Sequence, residues 1–143
     1  MASEHQSELI AYVIMPTHFH LIPLMKIGES ISDFMRDFKK FTSTKIRKLL
    51  EEEGYNEIVE QLRLNAAGYK NQTFKLWMDR FDDVIVITEK VLQTKVNYIH
   101  YNPVKAGFVS KMEDWKYSSA RNYLFEDHGV IEINTKWDFV FEK

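Results

Sequence analysis

The chain of 143 residues contains no cysteine, which excludes a disulfide framework and any metal site built on thiolates. It also lacks a run of 18 or more apolar residues, so no membrane-spanning helix is expected. The first eight residues have neither the basic start nor the apolar stretch of a secretory signal. We therefore expect a cytoplasmic protein that does not contact the membrane.

The sequence has no excess of positive charge either. Its 19 lysine and arginine residues are outnumbered by 21 aspartate and glutamate residues, which gives a formal net charge of −2. Proteins that bind nucleic-acid phosphates often carry a clear basic excess. Composition alone thus argues mildly against a DNA partner, and a DNA-binding surface would require an uneven distribution of the cations.

With 45% apolar residues, the chain is expected to bury the core of a single globular domain. A short segment rich in β-branched residues, 9–15, and a second strand candidate, 18–25, are separated only by Pro16–Thr17 and predict an antiparallel hairpin. Pro23 cannot donate a backbone hydrogen bond, so the second strand is expected to be irregular or to lie at an edge there.

Two long helices are predicted from apolar residues at helical spacing. The first begins with Ser30 and Asp33, spaced as a capping box, and stops at Gly54. The second begins at Thr88 and should end near Asn102, because Pro103 disfavours helical geometry in the residue before it. One face of the first helix is cationic and carries Arg36, Lys39, Lys40, Arg47 and Lys48.

The remaining elements are predicted from weaker patterns. A short helix is expected around 58–64, a strand at 73–81 that extends to 86, and another strand at 130–133. The aromatic residues after position 110 are expected in short turns or helices. This mixture predicts an α+β fold with antiparallel strands and helices on one face.

His18 and His20 are the first candidates for chemistry. Side chains two residues apart on a strand point to the same face, so the two imidazoles form half of a metal site that an oxygen ligand from elsewhere would complete. A His-x-His pair is common, and the alternative is that these are incidental surface or core histidines.

Tyr98 and Asn102 form the second candidate pair. They lie four residues apart on the second helix and therefore project from one face, one turn from each other. The ordinary alternative is a half-buried tyrosine and an asparagine that ends the helix. His100 is expected on a different side of this helix, with Tyr101 beside it, and both are interpreted as structural.

Four blocks of the sequence resemble a known family. Residues 11–22 (AYVIMPTHFHLI) resemble the "MPNHxHLL" signature of the single-tyrosine HUH transposases, and residues 98–109 (YIHYNPVKAGFV) resemble their "YIxxNPVxAGLV" block. Residues 34–42 are similar to the family's "LRxFKxFTS" helix, and residues 115–120 to its "WxYSSA" turn. The order is the same, and the resemblance is strongest to the REP-associated tyrosine transposases and their insertion-sequence relatives.

This resemblance implies a DNA transposase that cleaves and rejoins single-stranded, hairpin-bearing DNA through a 5′-phosphotyrosine intermediate. It implies that Tyr98 is the nucleophile and that His18, His20 and Asn102 bind Mg²⁺ or Mn²⁺; nitrogen ligands favour Mn²⁺. The cationic helix face would contact DNA phosphates, unless it is an ordinary solvated face. The family's dimers imply a homodimer with exchanged strands or shared active sites.

The family fold implied is a ferredoxin-like antiparallel sheet, here a single domain over 1–143 with a core at 9–109 and a C-terminal extension at 110–143. Only about ten residues precede the first predicted strand, so the usual first strand and helix are expected to be lacking. In the family that strand lies beside the histidine strand. A strand from a partner chain or the folded-back 130–133 segment could fill its place, or the product could be impaired.

Two other functions remain open from the sequence. An N-terminally truncated, catalytically impaired relative would bind DNA hairpins without strand transfer. A metal hydrolase unrelated to DNA would need an acid or base beside the histidines, and none is marked in the sequence.

Overall fold

The computed structural model describes residues 8–78, 82–86 and 88–137, which fall into two compact units. The helical unit comprises residues 27–78 and 82–83, and the sheet unit comprises residues 8–26, 84–86 and 88–137. A single domain with a core at 9–109 and an extension at 110–143 stays a prediction. Both candidate pairs, the histidines and Tyr98 with Asn102, lie in the sheet unit.

The predicted hairpin is present in the sheet unit. Strand β1 (Glu8–Ile14) pairs antiparallel with strand β2 (Phe19–Leu24), and the backbone N–H of Met15 donates to the carbonyl of His18 in the turn. The ladder shifts register between Leu9 and Ala11, opposite Pro23. The expected irregularity near Pro23 thus takes the form of a bulge in the facing strand. The register also sets Val13 opposite His20.

Helix α3 (Glu89–Lys105) packs on this hairpin, and the Thr88 side chain caps it by accepting from the backbone N–H of Val91. The predicted end near Asn102 is wrong, since the helix continues through Pro103 to Lys105. A proline inside a helix lacks the N–H that would bond the carbonyl four residues earlier, and its ring crowds that carbonyl. Burial of the Pro103 ring offsets that loss, and the backbone N–H of Ala106 still bonds the carbonyl of Asn102.

The core of the sheet unit lies between the hairpin, α3 and the C-terminal segment. Because Ala11 and Val13 point to one face of β1, they meet the apolar stripe of α3, and Trp137 closes the cluster. The buried members of this core are Ile10, Ala11, Val13, Met15, Leu92, Val96, Ile99 and Trp137.

The C-terminal residues cover the edge of β1 that faces away from β2. The backbone N–H groups of Ile14, Ser119 and Asn134 bond the carbonyls of Tyr117, Tyr12 and Leu9, at 2.8, 3.0 and 3.0 Å. The segment contains a 3₁₀ turn (Met112–Asp114) and helix α4 (Ala120–Phe125), as expected. The strand predicted at 130–133 is wrong, because those residues adopt no strand.

The fold-back of the C-terminal segment bears on the expected gap in the sheet. The segment lies against β1, whereas the first strand implied by the resemblance is expected beside β2. The lack of that first strand and helix, and the element that takes its place, stay predictions.

The helical unit contains α1 (Ile31–Glu52) and α2 (Asn56–Asn65). Ser30 caps α1 by accepting from the N–H of Asp33, and Gly54, at φ +79°, follows its end. The strand predicted at 73–86 is wrong for residues 73–78 and 82–86, and residues 79–81 lie outside the described residues. Residues 73–78 are instead joined to α1 by side-chain contacts, since the Trp77 indole donates to the Thr42 hydroxyl at 2.9 Å.

The α+β class is confirmed by the hairpin and the four helices of the described residues. The ferredoxin-like arrangement of the sheet stays a prediction. Within the ranges described, no helix has the length and apolar character needed to cross a membrane.

Candidate active site

The two histidines meet where the hairpin turn enters β2. Their ring centroids are 5.1 Å apart in an edge-to-face arrangement, which places both imidazoles on one side of the strand as predicted. The Thr17 hydroxyl contacts Nδ1 of His18 at 3.1 Å. Burial, and then repulsion from His18, lower the pKa of His20, so its imidazole is neutral at pH 7 with a lone pair available for a metal.

Tyr98 reaches this pair from α3. Its ring lies edge-to-face against His20, with centroids 5.8 Å apart, while its neighbour Ile99 is buried in the core. Tyr98 remains 53% exposed, so a substrate can approach it from solvent. Strand and helix thus bring together three residues that lie up to 80 positions apart in the sequence.

Asn102 lies one turn beyond Tyr98 on α3 and is partly buried. Its backbone carbonyl accepts from Ala106, whereas no hydrogen bond joins its side chain to another described residue. The structure therefore groups His18, His20 and Tyr98, and the role of Asn102 as a ligand stays a prediction.

The histidine pair fits a divalent metal ion in its spacing. In a metal site, the metal–nitrogen bond is about 2.1 Å long and the ring centre lies about 1.1 Å beyond the nitrogen. The centroids of two imidazoles on neighbouring ligand positions are therefore about 4.5–5.2 Å apart. The observed 5.1 Å falls in this range. No group of three His, Cys, Asp or Glu side chains that could hold a metal occurs in the described part of the chain. Among the described residues, the histidine pair therefore lacks a third ligand of these four types.

His100, interpreted as structural from the sequence, occupies the side of α3 away from the histidine pair. It is buried, its Nε2 lies 2.7 Å from the Ser119 hydroxyl, and its ring packs on Tyr123 at 5.1 Å between centroids. Burial lowers the pKa of His100 to about 4. The imidazole is therefore neutral at physiological pH and contributes hydrogen bonds without charge.

This low pKa predicts a loss of stability in acid. An unfolded histidine takes up a proton near pH 6.5, whereas folded His100 does so only near pH 4. The folded state is therefore most stable above pH 6.5 as far as His100 is concerned. As pH falls from 6.5 to 4, the free energy of unfolding decreases by about 3 kcal/mol at most. Urea unfolding at pH 7.5 and pH 4.5 measures it. In His100→Gln, which cannot titrate, the pH-dependent loss should be clearly smaller; an equal loss would contradict the assignment.

The five cations predicted on α1 all line one groove of the helical unit. It lies between α1 and residues 71–78 and has a volume of about 710 Å³. Its charged lining consists of six cations and one carboxylate, namely Arg36, Lys39, Lys40, Arg47, Lys48, Lys75 and Glu51. The chain is therefore locally basic despite its net negative charge.

Several of these cations already have partners within the chain. Arg36 pairs with Asp33 at 2.8 Å, and the Lys39 ammonium donates to the carbonyl of Met78 at 2.8 Å. Arg47 pairs with Glu51 and lies over the Phe74 ring. Exposed pairs of this kind contribute little stability, so a phosphate can replace the carboxylates at small cost.

Known proteins resemble the chain in sequence. The family model described as "Transposase IS200 like" matches residues 1–102. The chain is 31% identical to a putative REP-associated tyrosine transposase of Haemophilus influenzae, over 78% of this chain and 58% of the relative. It is 30% identical to the REP-associated tyrosine transposase of Escherichia coli K12, over 78% of this chain and 53% of that protein.

A solved structure, that of a REP-associated tyrosine transposase bound to a REP hairpin, matches with a TM-score of 0.61. The two are 26% identical, and the match covers 86% of this chain and 60% of the other. The chain spans little more than half the length of the curated relatives it matches. Because the family model covers about 70% of the chain, including the histidine pair and Tyr98, the chain belongs to the IS200-like transposases.

Proposed function

We propose that this chain cleaves and rejoins single-stranded DNA beside a hairpin, through a 5′-phosphotyrosine link to Tyr98. The observation that carries the proposal is the contact between the exposed Tyr98 ring and His20, at 5.8 Å between centroids, next to His18. The names of the relatives and the hairpin bound in the related structure support the choice of reaction and substrate.

In the proposed reaction, the Tyr98 hydroxyl oxygen attacks the scissile phosphorus and its proton passes to solvent. The bond between phosphorus and the 3′ oxygen breaks, and that oxygen takes up a proton to leave a 3′-hydroxyl. One phosphodiester replaces another, so no nucleotide cofactor is needed. Attack by a different 3′-hydroxyl reverses the step and joins the strands.

His18, His20 and Asn102 would hold Mn²⁺ or Mg²⁺. The bound ion would polarise the scissile phosphate and offset negative charge on its non-bridging oxygens. The neutral state of His20 at pH 7 and the 5.1 Å spacing of the rings support this ligand set. The two imidazoles favour Mn²⁺ over Mg²⁺.

The test of this function is the covalent product. Incubation of the protein with Mn²⁺ and a hairpin-bearing single-stranded oligonucleotide should give a protein–DNA adduct that survives denaturation. Hairpin binding without an adduct would instead match a relative that binds DNA and does not transfer strands. Assembly as a homodimer, with exchanged strands or shared active sites, stays a prediction.

The DNA backbone would bind in the groove of the helical unit. The proposal rests on six cations around one cavity of about 710 Å³, with the Phe74 and Trp77 rings also in its wall. Phosphate contacts by lysine and arginine supply most of the sequence-independent affinity for DNA. The groove brings together six cations that could make such contacts.

The double variant Lys40→Gln/Lys48→Gln should weaken hairpin binding and reduce its salt dependence. A plot of log affinity against log salt concentration has a negative slope, and each lost phosphate contact reduces its magnitude by about 1. Fluorescence anisotropy with a labelled hairpin, between low and high salt, measures both effects.

Lys45 supplies the matched control, because it is an exposed cation on the same helix that lies outside the groove lining. Lys45→Gln should keep the wild-type affinity and salt slope. If it weakens binding as much as a groove variant does, general charge rather than the groove accounts for the affinity.

A further inference from the structure

One buried hydroxyl joins the helix that carries Tyr98 to the hairpin that carries the histidines. The Ser119 hydroxyl accepts from the backbone N–H of Tyr12 at 3.0 Å and lies 3.3 Å from the carbonyl of the same residue. It also lies 2.7 Å from Nε2 of His100. Tyr12 is adjacent to Val13, which pairs with His20 in the hairpin.

His100 occupies a special position on α3. Successive helical residues are rotated by about 100°, so Tyr98 and Asn102 are about 40° apart and His100 lies about 180° from the midpoint between them. A contact made by His100 therefore fixes the rotation of the helix that presents Tyr98. The apolar contacts of Val96 and Ile99 are not directional and leave small rotations possible, whereas a hydrogen bond is directional.

The C-terminal segment holds the partner of His100 in place. The Tyr123 hydroxyl donates to the carbonyl of Ile10 at 2.7 Å and accepts from the Trp137 indole at 3.0 Å, while the Tyr123 ring packs on His100. The backbone N–H of Ser119 donates to Tyr12 at 3.0 Å. The His100 ring is thus enclosed by two residues that are themselves bound to β1.

We propose that His100 and Ser119 are positioning residues, whose hydrogen bond sets the rotation of α3 and thereby holds Tyr98 beside His20. The inference rests on the proposed role of Tyr98 as the nucleophile. At about 5 Å from the helix axis, a rotation of about 20° moves a side chain by about 2 Å. A misplacement of about 1 Å can lower a rate by about 100-fold. Ser119, which lies in the C-terminal segment, is therefore part of the strand-transfer apparatus.

The test compares Ser119→Ala with Ser118→Ala. Ser118 is equally buried on the same segment, but its hydroxyl accepts from the N–H of Ala120 within that segment. Ser119→Ala should slow single-turnover adduct formation at saturating oligonucleotide by at least about 10-fold, with hairpin affinity unchanged. Ser118→Ala should react at the wild-type rate even if its melting temperature falls. Wild-type reaction by Ser119→Ala, or equal slowing by Ser118→Ala, overturns the proposal.

His100 provides a second pair of variants if Ser119→Ala folds poorly. His100→Phe fills the site without a hydrogen-bonding group and should react as slowly as Ser119→Ala. His100→Gln offers an amide where Nε2 stands and should recover most of the rate, which a purely structural role would not predict. Equal rates for the two His100 variants would contradict the inference.

An NMR measurement separates this inference from the proposed function. A nuclear Overhauser effect between the Tyr98 and His20 rings should appear in the wild type and in Ser118→Ala, and weaken strongly in Ser119→Ala and His100→Phe. Its persistence in both of the latter overturns the positioning role. If the signal weakens in these two variants and the wild type never forms an adduct, the proposed function fails while the positioning by His100 and Ser119 stands.

Discussion

Tyr98→Phe is expected to abolish the covalent protein–DNA adduct and to lower strand cleavage by at least about 10³-fold. Removal of a nucleophile in other enzymes causes losses of this size or greater. Phenylalanine keeps the ring that contacts His20 but lacks the oxygen that attacks phosphorus. A denaturing gel with an end-labelled hairpin oligonucleotide and Mn²⁺ measures the adduct, and anisotropy shows that hairpin binding is retained.

Tyr101 provides the matched control for this variant. It lies three residues further along α3 and is 52% exposed, compared with 53% for Tyr98. Tyr101→Phe should form the adduct at the wild-type level. An adduct from Tyr98→Phe, or its loss from Tyr101→Phe alone, would show that the nucleophile has been misassigned.

His20→Ala is expected to lower Mn²⁺-dependent cleavage by at least about 100-fold. Loss of an outer partner of a metal ligand alone costs about 10–100-fold in affinity or activity, so loss of a ligand should cost at least as much. Mn²⁺ titrations followed by electron paramagnetic resonance measure binding in the same samples. The affinity for Mn²⁺ should fall with the rate, because removal of His20 leaves His18 as the single imidazole of the pair.

His128→Gln serves as the control for the histidine variant. Its imidazole contacts the Asn122 side chain at 3.1 Å and accepts from the N–H of Ile133 at 3.2 Å. Neither contact involves His18 or His20. This variant should keep both Mn²⁺ affinity and cleavage. If His20→Ala cleaves at the wild-type rate in Mn²⁺, the histidine pair is not the metal site of the reaction.

The elements that position the site follow local rules, and the sequence predicted them for that reason. Strand alternation placed His18 and His20 on one side, and helical spacing placed Tyr98 and Asn102 one turn apart. The caps at Ser30 and Thr88 marked the helix starts correctly. The contact between Tyr98 and His20 followed only from the family resemblance, since no local rule joins residues so far apart.

The errors arose where tertiary contacts override local pattern. Residues 73–78 alternate like a strand, but Trp77 bonds the Thr42 hydroxyl, and no strand in the described helical unit is available for pairing. Pro103 predicted the end of a helix, but α3 continues past it to Lys105 and the proline ring is buried. The link between His100 and Ser119 spans 19 residues and has no local signal.

The cationic groove was likewise predicted only in the part that depends on local sequence. A net charge of −2 argued against DNA, whereas helical spacing correctly gathered five cations on one stretch of α1. The sequence did not predict that Lys75 would join them, because residues 73–81 were assigned to a strand. The groove depends on that segment lying along α1, which only the tertiary fold establishes.

The most direct test of the central claim is to locate the DNA-linked residue by mass spectrometry. Trypsin cuts after Lys95 and Lys105, which releases the peptide Val96–Lys105 with both Tyr98 and Tyr101. After nuclease trimming of the adduct, fragmentation of this peptide should place a 5′-phosphonucleotide on Tyr98. A nucleotide on Tyr101 or on another residue would contradict the account, as would an unmodified peptide in a confirmed adduct.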